Sequence, residues 1–335
     1  MKRKKDYSAE REEKIKALTD KLEQGIREVF DSEKYREYLS AMSRFHNYSY
    51  NNLMLIAMQR PGASLLAGFK TWESLGRRVK KGEKGIAILV PCPYKFMQEV
   101  GVVDPETGKA KLDADGNQVK AEKEISYTYF KTAAIFDISQ TEGKELPALA
   151  EELKGDAQDY ENLMDAIRET APVPIRFDNW PESRKGYYDL QEKEIVIRSE
   201  MSERQTVKTA IHETAHSILH TDKDHLKDSA TMEIEAESIA FVVCQHFGLD
   251  TSDYSFGYLA GWSSTKELPE LKSSLSTIQK ESHGLIGRIE KNLLKHTNNL
   301  DISQNIREES PEIPGLGDTL PEPHSISGNH RHTSR

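Results

Sequence analysis

The stretch IHETAHSILH, Ile211 to His220, sets two histidines four residues apart with a glutamate directly after the first. On a helix, residues four apart share one face with Cβ atoms about 5–6 Å apart, so His212 and His216 can aim at one ion. Glu213 lies about 100° around the helix from His212, beside such an ion without being obliged to bind it. There it is placed to accept a proton from an ion-activated water and pass it to a leaving amine, as a catalytic base. The apolar neighbours Ile211, Ala215, Ile218 and Leu219 suit a buried helix that holds ligands rigidly. A packed helix that carries two histidines for other reasons would have the same neighbours.

A catalytic ion needs a third protein ligand and an open fourth position. His220 continues the four-residue series, but a straight helix carries it about 6 Å beyond His216, too far for one ion. The metzincin spacing is excluded, because Leu219 and Asp222 occupy its glycine and third-histidine positions. The next helical stretch, TMEIEAESIAFVVCQHFG (231–248), offers Glu233 and Glu237 on one face. Ala236 and Ala240 beside them allow two helices to approach closely. Glu233 is expected to be the third ligand and Glu237, one turn on, to orient a histidine; the reverse assignment stays open. The expected cofactor is Zn2+, one per chain, with another divalent metal as the alternative. Around this pair the chain alternates helix and strand. A helix is expected near Asp159–Thr170, PIRFD reads as a strand, and YYDLQ and KEIVIR read as a strand pair joined by a polar turn. Ser202 and Glu203 then start the histidine helix.

The first ninety residues differ in charge. They hold 19 basic and 12 acidic side chains, +7, while the remainder of this −9 chain carries −16. That split suggests one polyanion-facing module and one acidic module. Residues from about Ala9 to Glu37 have apolar side chains at helical spacing, and a second helix is expected near Tyr35–Phe45. NYSYNN (47–52) breaks the pattern, LMLIAMQ resumes it, and Pro61-Gly62 ends it. Residues 69–85 read as a short helix and a basic loop. IAILVP (86–91) and ISYTYFKTAAIFDIS (125–139) read as strands of a long hairpin whose insertion carries the turn signals DPETG and DADGN. Between Arg44 and Lys84 there are eight basic residues and two acidic ones, with aromatics interleaved. Lysine and arginine neutralise phosphates and aromatic faces stack unpaired bases, so the mixture suits single-stranded DNA. The candidate contacts are Tyr48, Asn51, Asn52, Lys70, Trp72, Arg77, Arg78, Lys80, Lys81 and Lys84. Core aromatics beneath solvated lysines would give the same composition.

The 335 residues allow two domains, and 36% hydrophobic with 30% charged residues allows packed cores. Two distant cysteines, Cys92 and Cys244, argue against a disulfide framework and fit a reducing compartment. The basic N-terminus leads into a charged helix and not into an apolar run, so no secretory signal is read, and no stretch approaches a membrane span. A cytoplasmic location without a membrane partner is expected. The tail from about His296 is rich in Ser, Asn, Pro and Glu and is expected to be disordered.

These segments have relatives. The strand pair, the HETAH helix and the following ExxxE helix, over roughly 160–262, resemble the zincin peptidases of the ImmA/IrrE kind. That resemblance implies that His212, Glu213, His216 and Glu233 are the metal-and-base set; at the position of Glu237 those proteins often carry Asn. YSYNNLMLIAMQRP, AGFKTWESLGRRVKKGEKGIAILVP and FKTAAIFDISQTEG, over about 10–143, resemble the N-terminal domain of ArdC-type antirestriction proteins. This resemblance implies single-stranded DNA binding, residence on conjugative mobile elements, and a zincin-like domain following in this order. The expected fold class is α+β: a DNA-binding domain over 8–143, a zincin-like metallopeptidase domain over 157–292, and a tail over 296–335. The expected function is a single-stranded DNA-binding antirestriction protein with a zinc-dependent peptidase-like domain. One alternative is a non-catalytic DNA binder whose zincin domain is structural. The other is a regulatory metalloprotease that cleaves a repressor, with a protein substrate as partner.

Overall fold

The computed structural model describes residues 2–104, 107–113, 116–146, 157–180, 184–219, 227–254 and 256–297. His220 and the tail beyond residue 297 lie outside this set. The architecture is α+β. The expected helix over 9–37 divides in two, α1 (Lys2–Glu28) and α2 (Ser32–Arg44). Asp31 causes the division: its carboxylate accepts from the Glu33 amide and starts a new helix. Ser49 does the same for α3 (Tyr50–Gln59), accepting from Asn52 N, so Tyr50, Asn51 and Asn52 form the first turn of a helix.

The N-terminal sheet has the order β1-β4-β3, all antiparallel, from β1 (Leu66–Gly68), β3 (Ile86–Gly101) and β4 (Lys120–Asp137). Part of the expected basic loop is instead a strand. After α4 (Phe69–Ser74), β2 (Arg77–Val79) pairs with β5 (Thr141–Gly143). β3 is an edge strand, and α3 covers its free edge at the base. Asn52 exchanges two hydrogen bonds with the Leu89 backbone, both 2.9 Å, and Gln59 does so with Ala87, both 3.0 Å. Two amides two helical turns apart thus satisfy backbone groups that would otherwise be open to another strand.

The second sheet has the order β6-β8-β7, from β6 (Ile175–Asp178), β7 (Gly186–Asp189) and β8 (Glu194–Arg198). β8 runs parallel to β6 and antiparallel to β7. Helix α5 (Ala157–Thr170) precedes it; α6 (Glu203–Leu219) and α7 (Ser229–His246) follow. Asp228 caps α7, and Gly248, at φ +71, lies just beyond its end. The short α8 (Leu259–Ser263) leads to α9 (Leu268–Thr297), which packs on α5 and α7. One contiguous core links the halves. α2 packs on α7, and the Tyr35 hydroxyl meets Ser238 Oγ at 2.7 Å.

Candidate metal centre

α6 and α7 pack side by side, as the small residues Ala236 and Ala240, both fully buried, permit. Their facing turns bring three donors together. His212 Nε2 and His216 Nε2 are 3.1 Å apart. Glu233 reaches both from α7, with Oε2 3.7 Å from His212 Nε2 and Oε1 3.5 Å from His216 Nε2. One ligand atom from each of the three lies within 4.8 Å of the others. Two ring nitrogens at such a separation either share a proton or lend both lone pairs to one cation. Two imidazoles and a carboxylate are the donor set of a divalent site with room for water, so these residues fit the implied metal. Glu233 is largely exposed, which leaves the centre open on that side.

Glu237 stands on the other edge of the His212 ring, with Oε2 3.2 Å from Nδ1. The contact is an ion pair more than an aligned hydrogen bond, because Nδ1 has no partner of good geometry. Burial alone would lower the His212 pKa. Glu237, Glu213 and Glu233 together outweigh burial and hold it above the ordinary value. Glu235, on the same helix, turns away from the centre, fully buried, and pairs with Lys227 at 2.8 Å.

Glu213 is buried against β7. A Cβ added to Gly186 would lie 3.4 Å from Glu213 Cγ and 2.6 Å from Thr209 Cγ2, so a glycine lets the strand approach the helix. Burial pushes the Glu213 pKa up; the charges of His212, His216 and Arg184 offset part of this and Glu233 adds to it. A carboxylate so held takes a proton at higher pH than a surface glutamate. Arg184 and Tyr258 were not read from the sequence. Arg184 lies in the field of Glu213 and stacks its guanidinium 4.5 Å from the Tyr187 ring centroid. The Tyr258 phenol is pushed up to about 12 by burial and then by Glu237 and Glu233. Both come from segments remote from the HETAH helix, and no local pattern marks them.

The candidate DNA contacts divide. Two are corrected, because Trp72 and Asn52 are buried. Trp72 donates from Nε1 to Phe136 O at 2.9 Å, and the Asn52 amide is used by Leu89. Neither can meet a base. Arg77 is half-buried and binds Thr141 Oγ1 at 2.8 Å and Lys144 O at 2.5 Å, so it ties β2 to β5. Tyr48 and Asn51 are half-buried, and Tyr48 packs edge-on against Phe45. Lys70, Arg78, Lys80, Lys81 and Lys84 are exposed; Arg78 pairs with Glu142 at 2.8 Å and Lys80 donates to Ser139 O at 2.9 Å.

Known proteins match both halves. Residues 6–136 match the family of the N-terminal domain of anti-restriction factor ArdC. Residues 170–246 match the IrrE N-terminal-like domain of the M78 peptidase family. The chain thus joins an ArdC N-terminal domain to an IrrE-like peptidase-family domain. An uncharacterized protein of Bacillus anthracis, pXO2-81, is 29% identical over 321 residues, covering 87% of this chain and 54% of that protein. DNA primase TraC of Escherichia coli is 35% identical over 81 residues, 24% of this chain and 7% of the primase. The chain therefore spans about half of the first relative and a small part of the second. Among solved structures, the antirestriction ArdC protein of plasmid R388 is similar. Its metal-free form is 20% identical with TM-score 0.45, covering 74% of this chain and 86% of that one. Its Mn(II)-bound form is 17% identical with TM-score 0.44, covering 73% and 85%. No helix among the described residues is long and apolar enough to cross a membrane.

Proposed function

We propose that this chain is a single-stranded DNA-binding antirestriction protein whose C-terminal half is a divalent-metal peptidase centre. The observation that carries the hydrolytic half is the convergence of His212, His216 and Glu233, with Glu213 buried beside them. His212, His216 and Glu233 hold the metal, zinc or another divalent ion. A bound cation of this kind polarises a scissile carbonyl and lowers the pKa of a water. Glu213, buried beside these three residues, would accept a proton from a water held there and pass it to the leaving amine. Glu237, 3.2 Å from Nδ1, is placed to orient the His212 ring. The DNA half is supported by the match to the ArdC N-terminal domain and by exposed Lys70, Arg78, Lys80, Lys81 and Lys84. The domain limits proposed for the halves are 8–143 and 157–292.

The test is Glu213→Gln in the metal-loaded full chain. Metal content should match wild type, while peptide hydrolysis falls on the order of 100-fold or more. DNA affinity should be unchanged. A metal-loaded wild type that cuts no peptide in a broad library, or a variant that cuts as well as wild type, would contradict the peptidase reading. If the variant still protects DNA from restriction, protection comes from binding alone.

A further inference from the structure

Beyond the core, β3 and β4 continue as a two-stranded arm. Their register pairs even-numbered β3 residues with odd-numbered β4 residues, for example Tyr94 with Tyr127 and Phe96 with Ile125. Paired residues project to the same side of the ribbon, so its two faces can be read directly. At the base, one face buries Ile86, Ile88 and Ile135 in the core. The same face runs outward uncovered. Tyr94 and Tyr127 are 57% and 59% exposed, and Phe96 and Tyr129 are 38% and 39% exposed. The rings of Tyr94 and Phe96 lie 5.8 Å apart and nearly parallel, at 25°.

Charge is sorted between the faces. Lys123 and Lys131 belong to the aromatic face, where the register places them opposite Gln98 and Val90. Glu99, Glu122 and Glu124 all project to the opposite face, where Lys95 pairs with Glu124 at 2.7 Å and Lys120 with Glu99 at 3.5 Å. The aromatic face of the arm therefore has cations and no carboxylate. Flat rings whose centroids lie 5.8 Å apart along the strand, bordered by ammonium groups, match splayed bases and their phosphates. A duplex keeps its bases stacked inside and offers such a surface nothing to stack on.

We infer that this face of the arm is a stacking platform for single-stranded DNA, separate from the basic segment 70–84. The inference rests on the DNA-binding reading above. The test uses the full chain and fluorescein-labelled oligothymidylate, read by anisotropy across a salt series. The double variant Tyr94→Ala, Tyr127→Ala should bind roughly tenfold or more weakly, with an unchanged salt slope, because stacking and not charge is removed. Lys123→Ala with Lys131→Ala should reduce the slope by about 1.4, roughly 0.7 for each lysine. Lys95→Ala with Glu124→Ala, on the opposite face, should bind as wild type. Wild-type affinity in the tyrosine variant overturns the inference while leaving DNA binding intact. Loss of a dimer in sedimentation, with DNA affinity unchanged, also overturns it and makes the face a contact between copies. A wild type that binds no oligothymidylate removes the DNA reading itself, and this inference with it.

Discussion

Glu233 and Glu237 stand one helical turn apart on α7 and meet opposite edges of the same imidazole. Glu233 lies on the Nε2 side of His212, where His216 Nε2 also points, and Glu237 lies on the Nδ1 side. A ligand histidine whose other nitrogen faces a carboxylate is fixed in tautomer and orientation and is a better donor. Glu237→Gln should therefore weaken metal binding about 10–100-fold without abolishing it, as measured by competition with a chelator. Unchanged affinity would show that Glu237 does not orient His212. The spacing of His212, Glu213 and His216 was legible because helical geometry alone puts them on one turn. The facing glutamates were legible for the same reason. Arg184 and Tyr258 were not, since their proximity to the site depends on loops whose path no periodicity encodes. Asn52 and Trp72 were misread because residue type is silent on burial. An amide can hydrogen-bond a base or a strand edge, and here α3 gives it the edge.

That edge shows how the elements hold together. β3 would present unpaired backbone groups at its base if α3 did not cover it with Asn52 and Gln59. Asn52→Ala leaves the buried amide and carbonyl of Leu89 without partners and should cost roughly 2–4 kcal/mol, read from urea midpoints. A loss under 1 kcal/mol would mean that water or a neighbour replaces the amide. At the end of β4, Asp137 closes the sheet. Its carboxylate accepts from the amides of Ser64, Leu65 and Ser139 and from the Ser139 hydroxyl. Burial would raise its pKa, but these donors more than compensate and hold it below the usual carboxylate value. The folded pKa is thus the lower one. The stabilisation is complete above the unfolded pKa of about 3.9 and is lost as pH falls through the folded value. Wild type should exceed Asp137→Asn in urea midpoint at pH 6, with the gap shrinking toward pH 3; a gap independent of pH would contradict this. The strand pair of the hairpin was evident from its apolar run and turn signals. Its length was not, because the exposed aromatic arm carries no buried-strand pattern. α9 was overlooked although Leu271, Leu275, Ile278, Leu285 and Ile289 recur at helical spacing and are buried.

Across the whole molecule, the helix that brings Glu233 and Glu237 to the centre also receives the N-terminal half. Ser238, the residue after Glu237, meets the Tyr35 hydroxyl of α2, and His246 at the far end of α7 binds Ser43 O at 2.9 Å and Glu290 at 3.0 Å. α9 adds contacts to the N-terminal half, with Gln279 donating to His46 O at 2.9 Å and Lys272 pairing with Glu23 at 2.8 Å. Charge asymmetry along the sequence suggested two modules. It could not reveal that their helices share a core, because long-range packing leaves no local signature. In the proposed function, two imidazoles from α6 and one carboxylate from α7 hold a single cation. The direct test is metal content, after loading with Zn(II) or Mn(II) and desalting, of wild type beside His212→Ala and Glu233→Ala. Wild type should hold about one equivalent and both variants should lose it, each retaining wild-type circular dichroism. A full equivalent retained by either variant would contradict it.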